Sequence, residues 1–272
     1  MSIPILTSEL AELIETADYK VMRDRMLAIA GREGNPYGVE LRLFGSRTAA
    51  LRARDLPPDF NKIWLWNPSD LDRMDDILSY YREVNSHVAV DLIPSLTSEE
   101  MMRALHRLGF SQIGFHTAMY GVPLGDSDGF PAGVTVRVAE AGDDAIFASL
   151  FHRSLELPAD IAENAESFSR LLLHPDWKLY IGYAEEEAAA FAMLRISLEG
   201  VACFGMAGTL PAYRGRGLQT ALLRKRMEDA SRSGCRLVAA QTEYGTTSFR
   251  NLQKAGLRVA YTKAIWQHGF DM

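Results

Sequence analysis

The residues best suited to chemistry lie in a glycine-rich turn, residues 213–220, which reads Tyr-Arg-Gly-Arg-Gly-Leu-Gln-Thr. A predicted strand, 201–209, comes before this turn, and a predicted helix, 218–230, follows it. Glycine lets the backbone bend tightly and approach a ligand closely, and a helix start presents unpaired amides and the positive end of its dipole. Arg214 and Arg216 add positive charge beside those amides. The turn therefore predicts an anion site, for which a pyrophosphate is the natural ligand.

Two common nucleotide motifs do not match this turn. A Walker P-loop requires Gly-Lys-Ser/Thr, which does not follow here, and the dinucleotide fingerprint requires a third glycine where Thr220 stands. A phosphotransferase that uses the turn on a nucleotide is an alternative function, which the missing lysine disfavours. A surface turn rich in arginine and glycine, with no ligand, is the structural alternative.

The segments around the turn predict an α+β domain. Their hydrophobic patterns predict an antiparallel meander of strands that leads into a strand–helix–strand end. The predicted strands are 134–138, 179–184, 188–197, 201–209, 236–241 and 258–266. The predicted helices are 142–151, 160–173, 218–230 and 248–255.

The first half of the chain ends in the same order of elements as the second. Residues 105–110 align with 252–257, which indicates a divergent duplication. The predicted elements of the first half are a helix over 70–81, a strand over 87–93, a helix from a capping box at 97–100 to Gly109, and a strand over 111–120.

The two halves are separated by residues 125–133, where Gly, Asp, Ser and Pro cluster without periodicity. Such composition is typical of a linker. The predicted domains are therefore 1–124 and 134–272.

At the turn, the sequence resembles a known family. Residues 211–218, Pro-Ala-Tyr-Arg-Gly-Arg-Gly-Leu, resemble motif A of the GNAT superfamily of acyl-CoA N-acyltransferases. The resemblance covers 134–268 and includes the family's opening at 136–145 and its closing helix and glycine at 251–257. It implies an α+β fold with two GNAT-like domains, each a mostly antiparallel central sheet flanked by helices, of which the first is degenerate.

The resemblance also implies which residues bind acetyl-CoA as a co-substrate. Arg214 and Gly217 match the Arg/Gln and the central glycine of the motif, while Gln219 stands where Gly or Ala is usual. Amides of 216–220 would hold the pyrophosphate, and the end of the preceding strand would pair with the pantetheine arm as an added strand does. The implied coenzyme residues are Ala207, Gly208, Thr209, Arg214, Gly215, Arg216, Gly217, Leu218, Gln219, Thr220, Ser248 and Asn251.

Amide formation from a thioester requires a deprotonated amine, a stabilised carbonyl oxygen and a thiolate that can leave. Glu243, at the end of a predicted strand, is the first candidate for the general base, and Tyr244, His152 and Glu156 are alternatives. Many members of the family protonate the thiolate with a tyrosine, but Leu252 stands at the matching position. Either another residue serves as the acid or the thiolate leaves unaided, because a thiol pKa is only about 8.5.

The first half differs at the aligned position. Residues 67–72 read Asn-Pro-Ser-Asp-Leu-Asp, so they have no glycine, and their two carboxylates would repel a pyrophosphate. Asp70 is instead a suitable helix N-cap. We therefore expect the first half not to bind coenzyme A there, but to pack on the active half and shape the acceptor cleft. Four aromatic residues are predicted to be core, with lining of the cleft as the alternative: Trp64, Trp66, Tyr80 and Tyr81.

Composition limits the class of protein further. The net charge of −6 disfavours a general nucleic-acid binder, which needs a dense basic surface. Cys203 and Cys235 lie in apolar stretches, which predicts buried thiols and fits a reducing compartment. The chain shows no signal-peptide pattern, no apolar run of about 18 residues and no metal-ligand spacing of its histidines. We expect a cytoplasmic protein with no metal and no nucleic-acid or membrane partner.

Two functions of different classes follow. The first is an N-acetyltransferase that moves an acetyl group from acetyl-CoA directly to a primary amine, on a small molecule or a peptide. A covalent acyl-enzyme is disfavoured because no serine or cysteine has a nucleophile signature. The alternative is a non-catalytic acyl-CoA-binding sensor or scaffold, which Leu252 keeps open.

Overall fold

The computed structural model describes residues 2–54, 56, 60–125, 129–157 and 163–269. The chain divides into two compact units that interleave along the sequence. The first unit comprises Leu6–Ala118, Thr242–Tyr244 and Val259–Met272, and the second comprises Met1–Ile5, Met119–Gln241 and Gly245–Arg258. The predicted domains, 1–124 and 134–272, stay a prediction. The last strand, which falls in the second predicted domain, lies almost entirely in the first unit.

The helices and strands follow the chain in this order. The α-helices are α1 (Ser8–Ala30), α2 (Met74–Arg82), α3 (Glu99–Arg107), α4 (Asp144–Leu155), α5 (Ala165–Leu172), α6 (Leu218–Arg232) and α7 (Thr247–Lys254). The strands are β1 (Glu40–Phe44), β2 (Thr48–Arg52), β3 (Lys62–Trp64), β4 (Val88–Leu92), β5 (Ser111–Gly121), β6 (Val134–Val138), β7 (Trp177–Ala184), β8 (Glu187–Ile196), β9 (Val201–Thr209), β10 (Leu237–Thr242) and β11 (Arg258–His268).

In the first unit the strand order is β1-β2-β3-β4-β11-β5. The pairs β1–β2, β2–β3 and β4–β11 are antiparallel, and β3–β4 is parallel. The side chains of α2 and α3 pack on this sheet to form a buried core that includes Ile77, Tyr81, Val90, Met101 and Leu105. The strand β11, predicted for the second domain, therefore completes the sheet of the first unit by pairing with β4.

In the second unit the strand order is β10-β9-β8-β7-β6. The pairs β6–β7, β7–β8 and β8–β9 are antiparallel, whereas β9 and β10 run parallel. The buried face of α6 and residues of α7 cover the sheet, with Leu222, Phe249 and Leu252 in the core. The meander and the strand–helix–strand end predicted from the sequence are both present, and β6 has the predicted bounds.

Several predicted elements differ in their bounds. The predicted helix over 70–81 is a 3₁₀ helix, Pro68–Arg73, followed by α2, because Asp70 leaves helical geometry with φ −112° and ψ 19°. Asp70 is not an N-cap, since Asn67 caps the 3₁₀ helix. The helix predicted at 160 begins at Ala165, while 158–162, like 126–128 of the predicted linker, lie outside the described residues. No pattern in the sequence predicted α1 or β1 to β3.

The predictions about buried residues are confirmed. Trp64, Trp66, Tyr80 and Tyr81 all lie in the core, and Cys203 and Cys235 are buried. Among the described residues, no helix combines the length and the apolar character that a membrane crossing requires.

Candidate functional site

The first feature of the site is the point where two parallel strands part. The strands β9 and β10 pair only from Val201 and Leu237 to Phe204 and Ala240. Beyond Phe204, β9 continues to Thr209 while pairing with β8. The described pairing thus leaves the other edge of β9 free of β10 over 205–209, where backbone groups can pair with an extended ligand. This stretch contains the predicted residues Ala207, Gly208 and Thr209.

The strand β9 is also irregular at this point. Ala192 of β8 faces Ala207, but Leu194 faces Phe204, so two residues of β9 oppose Met193. Such a bulge bends the strand and redirects its backbone groups. At the far end of β9, a Cβ on Gly208 would lie 2.7 Å from Cβ of Ser154, so glycine permits the close approach of α4.

The second feature is the glycine turn. The turn follows a short 3₁₀ helix, Pro211–Tyr213, and contains Gly215 with φ +81° and Gly217 with φ +87°. Both values lie in the left-handed region, which favours glycine over other residues. Gly217 is the N-cap of α6 and has no side chain that could accept from the helix amides, and the first turn of α6 has no acidic residue. The amides of 218–220 therefore form a positive helix end that suits an anion.

The two arginines of the turn are exposed and take different positions. Arg214 turns back along the strand, donating from Nε to Thr209 O at 3.3 Å and from Nη2 to Ser154 O at 3.4 Å. It also pairs with Glu156 at 3.4 Å. The guanidinium of Arg216 lies 5.1 Å from the ring centre of Tyr213. Arg214 thus contacts the ends of β9 and α4, whereas Arg216 lies over a ring of the turn itself.

A pocket of about 420 Å³ lies between α6 and α7. It brings together Thr220 and Asn251, two of the predicted coenzyme residues, while Ser248 is exposed one turn earlier on α7. Sequence reasoning missed the rest of the lining, which comprises Leu124, Gly125, Leu223, Arg224, Met227, Glu228, Lys254 and Ala255. Arg224 and Lys254 add positive charge, and Glu228 adds one carboxylate.

The candidate bases are dispersed. Glu243 is exposed directly after β10, with exposed Tyr244 next to it, in the segment Thr242–Tyr244 that belongs to the first unit. His152 is half-buried, with Nε2 2.6 Å from Glu163 O. Glu156 has a left-handed backbone, φ 57°, at the end of α4. The assignment of the base, with Glu243 first, stays a prediction.

Leu252 stands where the family's tyrosine is expected, and its side chain is buried in the core of the second unit. A leucine cannot donate a proton. Among the described residues, no group of three or more His, Cys, Asp or Glu side chains is arranged to hold a metal ion.

The aligned segment of the first unit has a different structure from the glycine turn. Asp70 is buried and accepts hydrogen bonds from Thr48 Oγ1 at 2.7 Å and from Asn67 Nδ2 at 3.0 Å. A Cβ on Gly45 would lie 1.9 Å from the Asp70 carboxylate, which therefore fills the space beside Gly45. The segment presents a buried carboxylate where the glycine turn presents amides.

Comparisons with known proteins agree with this fold. Residues 147–256 match the acetyltransferase (GNAT) family. Similar solved structures include a GCN5-related N-acetyltransferase from Kribbella flavida, with a TM-score of 0.64, 14% identity, and coverage of 93% of this chain and 95% of that chain. Another, from Sphaerobacter thermophilus, has a TM-score of 0.59, 17% identity, and coverage of 85% and 84%. A tandem GNAT protein from the clavulanic acid biosynthesis pathway has a TM-score of 0.56, 16% identity, and coverage of 92% and 95%.

At these identities the structural likeness shows the fold alone, and no curated protein sequence matches the chain. The parted strands and the glycine turn at a helix start define an α+β fold of the acyltransferase type. The match to the acetyltransferase (GNAT) family covers residues 147–256, and the likeness of fold to solved structures covers up to 93% of the chain. The predicted fold class is confirmed, and the predicted family is confirmed over residues 147–256.

Proposed function

We propose that this protein is an N-acetyltransferase that transfers an acetyl group from acetyl-CoA directly to a primary amine. One observation carries the proposal: the Gly217 turn at the start of α6 follows the part of β9 that has separated from β10. A helix start that suits an anion and a free strand edge thus adjoin in one unit. These are the two features that a pyrophosphate joined to an amide-containing arm requires.

Electrostatics support a pyrophosphate at the turn. The amides of 218–220 and the dipole of α6 attract negative charge, and Arg214 and Arg216 add two exposed cations. The pocket between α6 and α7 continues this positive surface with Arg224 and Lys254, where the nucleotide end of the coenzyme would lie.

The chemistry requires little from side chains. The amine nitrogen attacks the thioester carbon, and backbone amides at the free edge of β9 stabilise the oxyanion in this proposal. The carbon–sulfur bond then breaks, and its electron pair leaves on the thiolate. Since Leu252 supplies no proton, we propose that the thiolate of coenzyme A leaves unaided, which a thiol pKa of about 8.5 permits. A base, for which Glu243 is the first candidate, takes the proton from the amine.

We also propose that the first unit does not bind coenzyme A at 67–72. The buried carboxylate of Asp70 supports this, because it would repel a pyrophosphate. The same carboxylate also fills the space beside Gly45.

The test is release of free coenzyme A thiol from acetyl-CoA in the presence of a panel of amines, measured with the full chain. Release with at least one amine is expected. Binding of acetyl-CoA without release for every amine would favour the sensor alternative. Failure to bind acetyl-CoA would contradict the proposal.

A matched variant makes the test specific to the turn. Gln219→Glu adds one carboxylate to the first turn of α6 with almost no change in shape. It should leave stability unchanged or raise it by about 0.3–1 kcal/mol, because acidic groups favour a helix start. The same charge should weaken the binding of acetyl-CoA. An unchanged affinity would show that the anion does not bind at this turn.

A further inference from the structure

A buried arginine lies behind the separated strand. Arg226, two turns into α6, is only 2% exposed. Within the described residues its hydrogen-bond acceptors are all main-chain carbonyls: Nε donates to Leu222 O at 3.3 Å, and Nη1 donates to Met193 O at 3.3 Å and Gly205 O at 3.4 Å. Its guanidinium also lies 4.6 Å from the ring centre of Phe204.

Stability does not explain an arginine at this position. Burial lowers the pKa of Arg226 to about 10, so the side chain remains charged at neutral pH. A buried charge must be desolvated, and apolar side chains of similar volume often replace such charges without loss of stability. The neighbours Leu222 and Met227 on the same helix are apolar core residues.

The two carbonyls that Arg226 contacts lie in the bulge, one on each strand. Met193 is the residue of β8 that two residues of β9 oppose, and Gly205 is the first residue of β9 after its last pair with β10. A Cβ on Gly205 would lie 3.0 Å from Cβ of Met193, so the two strands are closely apposed here. Arg226 thus joins the two strands at the place where β9 leaves β10.

The bulge decides which backbone groups β9 presents beyond it. A slip of one residue in register turns every group of a strand to the opposite side. Near its carboxyl end, β9 cannot shift its register by one residue. Such a shift would replace Gly208 beside Ser154, where only a glycine fits. The bulge is therefore required for the observed direction of the amides of 206–208.

From these contacts we propose that Arg226 is a positioning residue for the pantetheine arm of the coenzyme. By donating hydrogen bonds to the carbonyls of Met193 and Gly205, it stabilises the bulge. The bulge in turn orients the backbone amides at the free edge of β9 toward the ligand. The inference rests on the proposed function, but it concerns the arm alone. The pyrophosphate turn lies two helical turns away and does not depend on these hydrogen bonds.

The experiment compares two ligands by isothermal titration with the full chain. One is coenzyme A, and the other is adenosine 3′-phosphate 5′-diphosphate, which lacks the pantetheine arm. Arg226→Met should lower the affinity for coenzyme A by about tenfold, equivalent to about 1.4 kcal/mol, and leave that for the nucleotide nearly unchanged. The control is Arg232→Met, an exposed arginine in the last turn of α6, which should change neither affinity.

The outcomes separate the two proposals. If the wild-type chain binds neither ligand, the proposed function fails and this inference fails with it. If the wild-type chain binds both, but Arg226→Met loses affinity for both ligands equally or for neither, the inference alone is wrong. If Arg226→Met does not fold, Arg226→Lys tests the inference instead, through the ratio of its affinities for coenzyme A and for the nucleotide. That variant keeps the charge, but its single ammonium is too short to hold both carbonyls as the guanidinium does.

Discussion

The phosphate turn can be probed by two substitutions that differ in one contact. Gly215 and Gly217 both have left-handed backbones, with φ +81° and φ +87°. A Cβ on Gly215 would meet nothing within 4 Å, whereas a Cβ on Gly217 would lie 2.8 Å from Cγ of Pro131. Gly215→Ala thus measures backbone strain alone, and Gly217→Ala measures the same strain plus one steric overlap.

The expected magnitudes follow from these geometries. An alanine in the left-handed region costs about 1–2 kcal/mol, from which about 0.4–1 kcal/mol is regained through the less flexible unfolded chain. Gly215→Ala should therefore destabilise only slightly. Ordinary contact begins at 3.4 Å, so Gly217→Ala requires a movement of 3.4 − 2.8 = 0.6 Å. Overpacking of this kind costs about 1–3 kcal/mol more.

Denaturation with urea measures the free energy of unfolding of both variants, and calorimetry measures their affinity for coenzyme A. Gly217→Ala should be the less stable variant by about 1–3 kcal/mol. It should also bind coenzyme A more weakly, because the amides of 218–220 move with the turn. Equal stability of the two variants would refute the account of the Pro131 contact, and equal affinity would refute the role of the turn geometry.

Three further predictions concern other positions. Arg214→Gln should change the melting temperature little, because exposed ion pairs contribute about 0–1 kcal/mol to stability. The same variant should raise KM for acetyl-CoA. A lower kcat with unchanged KM would contradict this role of Arg214. Burial, with the nearby Lys263, lowers the pKa of His116 from 6.5 to about 4. The folded state therefore favours neutral His116. Its contribution to the free energy of unfolding is fully present above pH 6.5 and is lost as the pH falls toward 4. His116→Gln should reduce the loss of unfolding free energy between pH 6.5 and pH 4 by about 3 kcal/mol. Urea denaturation at both pH values measures this loss, and an unchanged loss would contradict the lowered pKa of His116. Leu252→Ala should destabilise by about 2–5 kcal/mol as a core residue, and full stability of that variant would show that the residue does not serve the core.

The fold of the second unit could be predicted because its sequence pattern is local. Apolar and polar residues alternate in β6, mostly apolar runs mark β7 to β9, and the glycines at 215 and 217 mark a left-handed turn at a helix start. The assignment of β11 could not be predicted in the same way. Its sequence specifies a strand, but its pairing with β4 depends on contacts between residues far apart in the chain.

The part of the site that depends on local sequence was predicted, and the part that depends on strand pairing was not. The turn residues act through backbone geometry that glycine reveals directly. The bulge in β9 and the role of Arg226 depend on register between β8 and β9, which no local pattern shows. One signal was present: Arg226 falls between Leu222 and Ala230 at a spacing of four, on the buried stripe of α6. A charge on an apolar stripe indicates a buried partner.

The most direct test of the central claim is hydrogen exchange of the full chain with and without acetyl-CoA. We predict slower exchange for the amides of 216–220 at the start of α6 and of 206–209 at the free edge of β9, with no change at 67–72. Unchanged exchange at 216–220, or protection at 67–72 instead, would contradict the assignment of the coenzyme site to the glycine turn of the second unit.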